Sequence, residues 1–296
     1  MSKAFVVVNP ASGHYDHDAV GAAIERAASA GDRASEFRRV AQGELVSDIV
    51  RDGLARGFDM FVAVGGDGTV SGVVEGLDGS PAPVAIIPAG TGNLVARGLG
   101  IPLNPVRAAG LIAGDHDIRT VDAMRVDSRV FVLNVGVGIS AATVRDTSTA
   151  DKRRFGRAAY VGTGLREMLG FRPCRFTVTV DGRVTDVRAT EVAVANFDFI
   201  GDIPWPWAPD ILPDDGKLDV CLVLVPTAAE SIRSGLRAMR HRRKPMPNVR
   251  WLRARHSVRI EPNRTLPAQG DGDLIGDAPV EVTVLPRAVS VIVPRT

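Results

Sequence analysis

Residues 60–72 read MFVAVGGDGTVSG, and this stretch limits the possible folds more than any other. The run Met60–Val64 is apolar at every position and does not alternate, so it reads as a strand buried on both faces. Such a strand needs helices above and below it, which implies a parallel sheet with right-handed crossovers. Three glycines around Asp67 follow at its carboxyl end, and Val70, Val73, Val74 and Leu77 then recur at helical spacing. Open α/β sheets bind ligands at such strand ends, where N–H groups of a helix N-terminus suit phosphate oxygens. Thr69 can cap that helix or bond a phosphate. Asp67 is the odd member, because a carboxylate repels phosphates unless a divalent cation or a proton lies between them. The loop matches neither GxxxxGK[ST] nor GxGxxG.

The same alternation runs through the first hundred residues. AFVVV (4–8), residues 35–40 and VAIIP (84–88) read as strands, with helices near 18–30, near 46–54 and from 92–93 onward. After about residue 120 the pattern becomes mainly β. CRFTVTV (174–180) alternates strictly, DGR (181–183) supplies a hairpin turn, and VTDVRATEVAVAN, LDVCLVLV, VRWLRARHSVRI, VEVTVL and AVSVIV read as further strands. The expected architecture is an α/β domain over 1–120 and a mainly β sandwich domain over 121–296. The last ten or so residues are free to pack back on the first domain, and helical insertions are expected near 155–169 and 227–242.

No apolar run approaches the roughly 20 residues that a helical membrane span needs, and the N-terminus reads as a strand rather than a signal peptide. Cys174 and Cys221 lie in strand-like apolar contexts and are expected as buried free thiols in a reducing cytoplasm. The net charge of +2 conceals an asymmetry: residues 231–260 hold ten Arg or Lys and no acid, and without those ten charges it becomes −8. Arg253, Arg255 and Arg259 are expected on one strand face with Trp251. The bland reading is a solvated face with snorkelling arginines; the sharper one is peripheral docking on an anionic bilayer. No nucleic-acid motif accompanies the charge, so nucleic acid is not an expected partner.

VNPASG (8–13), GGDGTV (65–70) and IPAGTGNLVAR (87–97) together resemble the diacylglycerol kinase catalytic-domain family of lipid kinases, which includes bacterial YegS-like enzymes and sphingosine kinases. NVGVGISA (134–141), KRRFGRAAYVGTGL (152–165), LPDDGKLDV (212–220) and QGDGD (269–273) continue the resemblance in family order over nearly the whole chain. It implies an N-terminal domain like those of NAD kinases and phosphofructokinases, with ATP and Mg²⁺ as cofactors and a lipid alcohol as acceptor. Location at the inner face of the membrane follows, and a homodimer stays compatible with it. Asn9, Ser12 and Gly13 would help hold the nucleotide. Gly65, Gly66, Asp67, Gly68, Thr69, Val70 and Ser71 would wrap its phosphates. Thr91 would add a hydroxyl, with Asn93 capping the helix behind it.

The resemblance also makes Asp271 the general base toward the lipid hydroxyl and gives Asp122 an acidic site position. It places a structural magnesium on Asp215 and on the carbonyls of Leu212 and Lys217. A turn aspartate at 271 and an ordinary strand-start aspartate at 122 are the bland readings. The chain departs from the pattern at Arg39, where relatives often carry Thr and where an Arg would reach phosphate instead. Leu94 and Asp273 are two further departures. Two other functions stay open. A soluble NAD-kinase-like kinase would share GGDGT, but would leave the basic band without a purpose. A non-catalytic lipid-binding relative is opposed by the intact Asp67, Asp215 and Asp271.

Overall fold

A computed structural model describes residues 2–13, 15–146, 171–200, 203–204, 211–224 and 248–295. The chain divides into two compact units, Met1–Ala123 with Pro286–Thr296, and Met124–Leu285.

In the first unit β1 (Ser2–Val8), α1 (His17–Ala30), β2 (Arg33–Arg39), α2 (Val46–Ala55), β3 (Met60–Gly65), α3 (Asp67–Leu77) and β4 (Val84–Pro88) alternate as expected. Short helices α4 (Leu94–Gly98) and α5 (Pro105–Ala109) follow, then a 3₁₀ turn over Gly110–Ala113. The strands pair in parallel in the order β2-β1-β3-β4. Every residue of β3 is buried, so both faces of the sheet are covered, as its unbroken apolar run requires. The helices pack in two groups, α2 with α3, and α1 with α5 and the 3₁₀ turn. Phe5, Phe58 and Phe61 interlock beneath α2 at ring-centroid separations of 4.8 and 6.0 Å. Asp16 caps α1 by accepting from the N–H of Ala19.

The division between units falls inside β5 (His116–Val126) and, at the other end of the chain, inside the final strand β18 (Val280–Pro294). The second unit contains β6 (Arg129–Phe131), β7 (Asn134–Gly138), α6 (Ile139–Asp146), β8 (Cys174–Val180), β9 (Arg183–Ala189), β10 (Glu191–Ala195) and the pair β11 (Phe199–Ile200) and β12 (Ile203–Pro204). It continues with β13 (Leu218–Val223), β14 (Val249–Ala254), β15 (Ser257–Pro262), β16 (Pro267–Gly270) and β17 (Asp273–Asp277). One antiparallel sheet runs β14-β13-β10-β7-β16-β17; facing it, the start of β18 pairs with β15, β15 with β8, and β8 with β9. Val135, Val192, Val220 and Leu222 of the first meet Phe176, Val178, Val258 and Ile260 of the second in one apolar core, which makes this unit a β sandwich.

Two segments that read as single strands are each divided between the sheets. VTDVRATEVAVAN breaks at Thr190 into β9 and β10, and VRWLRARHSVRI breaks at Arg255–His256 into β14 and β15. At the second break the Asp181 carboxylate accepts the N–H groups of Arg255, His256 and Ser257 at 2.8, 2.8 and 3.0 Å. Partial burial pulls Asp181 upward, yet those three donors outweigh it and hold its carboxyl below the ordinary range. Arg253, Arg255 and Arg259 therefore do not share one strand face. Arg253 pairs with Asp219 at 3.1 Å, Arg259 lies between Glu261 and Glu281, and Arg255 sits in the turn. The expected helices near 155–169 and 227–242 lie outside the described residues, as does most of the basic band.

α2 and α3 approach as closely as glycine allows. A Cβ on Gly76 would lie 2.5 Å from the Cβ of Val50 and 2.6 Å from the carbonyl oxygen of Ser47. Gly76→Ala should gain about 1 kcal/mol of helix propensity and lose more than that to overpacking, typically about 1–3 kcal/mol. The urea midpoint of the variant is expected to fall with an unchanged slope; a rise would show that the helices can part without cost.

Candidate active site

Three loops leave the carboxyl ends of β1, β3 and β4 and meet with no side chain between them. A Cβ on Gly90 would stand 2.5 Å from the Cα of Gly66, and one on Gly13, whose φ is +67°, would strike the carbonyl oxygen of Ala89. The Asn9 N–H donates to the carbonyl of Val64 at 3.0 Å, and that of Ala89 to the carbonyl of Gly65 at 2.9 Å. Asn9 Nδ2 donates to Thr69 Oγ1 at 3.0 Å, and the Val95 N–H donates to Asp67 Oδ1 at 3.0 Å. The loops are thus tied by backbone and side-chain bonds into one patch around the first turn of α3, where the helix dipole favours an anion.

This geometry reassigns several expected roles. Thr69, Val70 and Ser71 are buried, so the surface that GGDGTVS offers narrows to Gly66, Asp67 and Gly68. The Thr69 hydroxyl accepts from Asn9. Asn93, with φ +52°, occupies the N-cap position of α4 but does not cap that helix through its side chain. Instead it clasps its own turn, accepting from the Gly90 N–H at 2.9 Å and donating to the Gly90 carbonyl at 2.7 Å. The cap of α4 is supplied by Asp67, 28 residues earlier. Thr91 is exposed in that turn, Ser12 is half-buried in the first loop, and Arg39 is exposed at the carboxyl end of β2, opposite Val8.

Asp122 leaves the site. It is fully buried, and its Oδ1 accepts the N–H of Arg287 at 2.7 Å, fastening β18 at a residue with φ +50°. Asp122 stands in the middle of β5 and not at a strand start, and its carboxylate has no exposed surface.

In the second unit, Asp271 and Gly272 form the turn between β16 and β17 with φ +50° and +90°. The Asp271 carboxylate accepts three backbone N–H groups: Val132 to Oδ2 at 2.8 Å, and Leu133 and Asn134 to Oδ1 at 2.9 Å each. Its own N–H donates back to the Asn134 carbonyl at 2.9 Å. Gln269 holds the same turn from below, accepting the Gly272 N–H at 3.0 Å and donating to Asn134 Oδ1 at 2.7 Å. Asp273 is exposed at the start of β17.

The expected magnesium site does not fit the metal in this arrangement. Asp215 Oδ2 pairs with the Lys217 ammonium at 2.8 Å, and its Oδ1 accepts the Lys217 N–H at 3.1 Å. The carbonyls of Leu212 and Lys217 are suitable hard donors, but the ammonium stands where the cation would meet its only anionic ligand. Among the described residues no group of three or more His, Cys, Asp or Glu is placed to hold a metal ion.

One buried acid was absent from the expected set. Glu191 opens β10, and its carboxylate accepts from Ser140 Oγ at 2.6 Å and the Ser140 N–H at 2.9 Å, at the start of α6. Burial pushes it up to about 7, against the downward pull of the Ser140 bonds. It also helps burial to raise the Cys221 thiol; Cys221 and Cys174 are both buried and free. The signal was present in TEVAVAN, where a single acid opens an otherwise apolar strand. Between pH 4.5 and about 7 the folded chain keeps a proton at Glu191 that the unfolded chain has released. Stability therefore falls as pH rises through that window, by up to roughly 3 kcal/mol from this group. Glu191→Gln should remove this component, seen as a flatter unfolding free energy between pH 5 and 8; parallel curves for the two proteins would refute it.

Comparison with known proteins bears on both units. Residues 3–126 match the family model described as diacylglycerol kinase catalytic domain, and residues 133–293 match the YegS C-terminal NAD kinase beta sandwich-like domain. Over its whole length the chain is 26% identical to a diacylglycerol kinase of Bacillus subtilis, covering 97% of that protein. It is also 29% identical over its whole length to a diacylglycerol kinase of Mycobacterium tuberculosis, covering 96% of it. A solved diacylglycerol kinase structure from Bacillus anthracis superposes with a TM-score of 0.81 over 99% of this chain and 97% of that one, at 25% identity.

Proposed function

This chain belongs to the diacylglycerol kinase catalytic-domain family, in the form completed by a YegS-type C-terminal domain, and from that premise we propose that it transfers the γ-phosphoryl group of ATP to the hydroxyl of a diacylglycerol-type lipid. The observation that carries the reading is the side-chain-free junction of Gly13, Gly66 and Gly90 around the start of α3. Phosphates approach a backbone only where no Cβ intervenes, and here three loops give up their side chains together. Gly66, Asp67 and Gly68 present the helix end to the phosphates, Thr91 adds its hydroxyl, and Arg39 offers a guanidinium. Magnesium, when bound with the nucleotide, neutralises phosphate charge. Catalysis of this kind is mainly alignment and electrostatic stabilisation.

Asp271 serves as the base. Its carboxylate, oriented by the N–H groups of Val132, Leu133 and Asn134, accepts the lipid proton. In a panel of ATP, Mg²⁺, several lipid alcohols and NAD, phosphate is expected on a lipid and not on NAD; the reverse would replace this reading with the NAD-kinase-like one. Asp271→Asn should lower kcat by about two to four orders of magnitude, and Asp273→Asn far less. The opposite order would move the base to Asp273.

The acceptor reaches the protein from a bilayer, and the charge of residues 231–260 supports peripheral docking on an anionic surface at the inner face of the membrane. No helix among the described residues is long and apolar enough to cross a membrane. Arg253 and Arg259 already hold acidic partners, so docking rests on the rest of the band. Arg242→Glu with Arg243→Glu and Lys244→Glu is expected to abolish cosedimentation with anionic vesicles; undiminished binding would exclude the band.

A further inference from the structure

The Glu191 carboxylate lies within the second unit, on the sheet that also carries the Asp271 turn. Glu191 pairs with Gly138 and Ala193 with Gly136 across β10 and β7, and Gln269 pairs with Gly136 from the other side. Gly136 leaves a gap in that row, and three polar atoms crowd the space its side chain would fill. Glu191 Oε1 lies 2.8 Å and Gln269 Nε2 2.9 Å from where a Cβ would stand, and Ser140 Oγ is closer still. A carboxylate only accepts, so it draws the NH₂ side of a neighbouring amide toward itself. Gln269 shows that orientation: Nε2 faces the gap and Asn134, and Oε1 faces the Gly272 N–H.

We propose that Glu191 is a positioning residue whose charge sets the orientation of the Gln269 amide across Gly136, and through it the Asp271–Gly272 turn. With the amide reversed, NH₂ would face N–H at Gly272, and Oε1 would face Oδ1 of Asn134. Both bonds beneath the turn would be lost together. A Gln at 191 could still accept from Ser140, so the link to α6 alone does not call for an acid. Keeping a carboxylate nearly buried costs free energy, and its burial-raised affinity for a proton reflects that cost. The consequence for turnover rests on the reading of Asp271 as the base; the consequence for the turn does not.

The test uses the full-length ¹⁵N-labelled chain at pH 8, reading hydrogen exchange at Gly272 beside the kinase assay. Glu191→Gln should speed exchange at Gly272 by about tenfold or more and lower kcat by roughly tenfold with the KM for ATP unchanged. Exchange at Gly182, in the β8–β9 turn, serves as the control and should not move. Ser140→Ala loosens the tie to α6 but keeps the charge, so Gly272 should stay protected. If Ser140→Ala deprotects Gly272 as strongly, Glu191 acts only by anchoring α6 and the proposal fails. It fails equally if Gly272 is unmoved in Glu191→Gln. Gln269→Leu breaks the link from the other end and should reproduce the loss, which serves if Glu191→Gln does not fold. Faster exchange with kcat unchanged overturns the catalytic half when Asp271→Asn is inactive. When Asp271→Asn is itself fully active, the same result upholds the turn and locates the failure in the base.

Discussion

The contact between Gly66 and Gly90 is the constraint from which the first unit's surface follows. Two loops from neighbouring parallel strands can touch backbone to backbone only if neither carries a Cβ, and Gly13 extends the same condition to a third. Once the loops are that close, their N–H groups need partners within the cluster, because water is excluded between them. Asn9, Asp67 and Asn93 supply those partners. The patch at the head of α3 is therefore a result of packing without side chains, with polar groups stitched around it.

Carboxylates perform a parallel task throughout the chain. Asp67 caps a helix distant in sequence, Asp122 fastens β18, Asp181 turns the chain between β14 and β15, and Asp271 gathers three N–H groups of the loop after β6. Each lies at a place where backbone donors would otherwise be left unpaired. Charge-assisted bonds to backbone N–H are stronger than neutral ones, so a single aspartate can set a loop that makes few apolar contacts. For Asp67 and Asp271 the same bonds that build the loop also fix the orientation of the carboxylate.

Much of the fold was legible because burial and period speak directly in the sequence. MFVAV without alternation meant helices on both sides, and CRFTVTV with strict alternation meant one face in a core. What periodicity does not encode is where a strand leaves one sheet for another. Thr190 and Arg255 interrupt two alternating runs without Gly or Pro, and the crossing at Arg255 is dictated by Asp181, more than 70 residues away. Splitting that run also dismantled the arginine face, since alternation assigns a common face only within one strand. The surroundings of Asp122 were not legible locally, because its partner Arg287 lies in β18, remote in sequence.

The amino-acid sequence alone determined the two-part architecture, the glycine loops at strand ends, and the family, because strand period, apolar runs and ordered motifs are local properties. Tertiary structure decided which polar group serves which purpose. It gave the cap of α4 to Asp67 instead of Asn93, put the Lys217 ammonium on Asp215 where a metal was expected, buried Asp122 against Arg287 and joined Glu191 to Ser140. A hydrogen bond depends on a separation of about 3 Å, and no spacing along the chain reports which distant residues the fold brings that close.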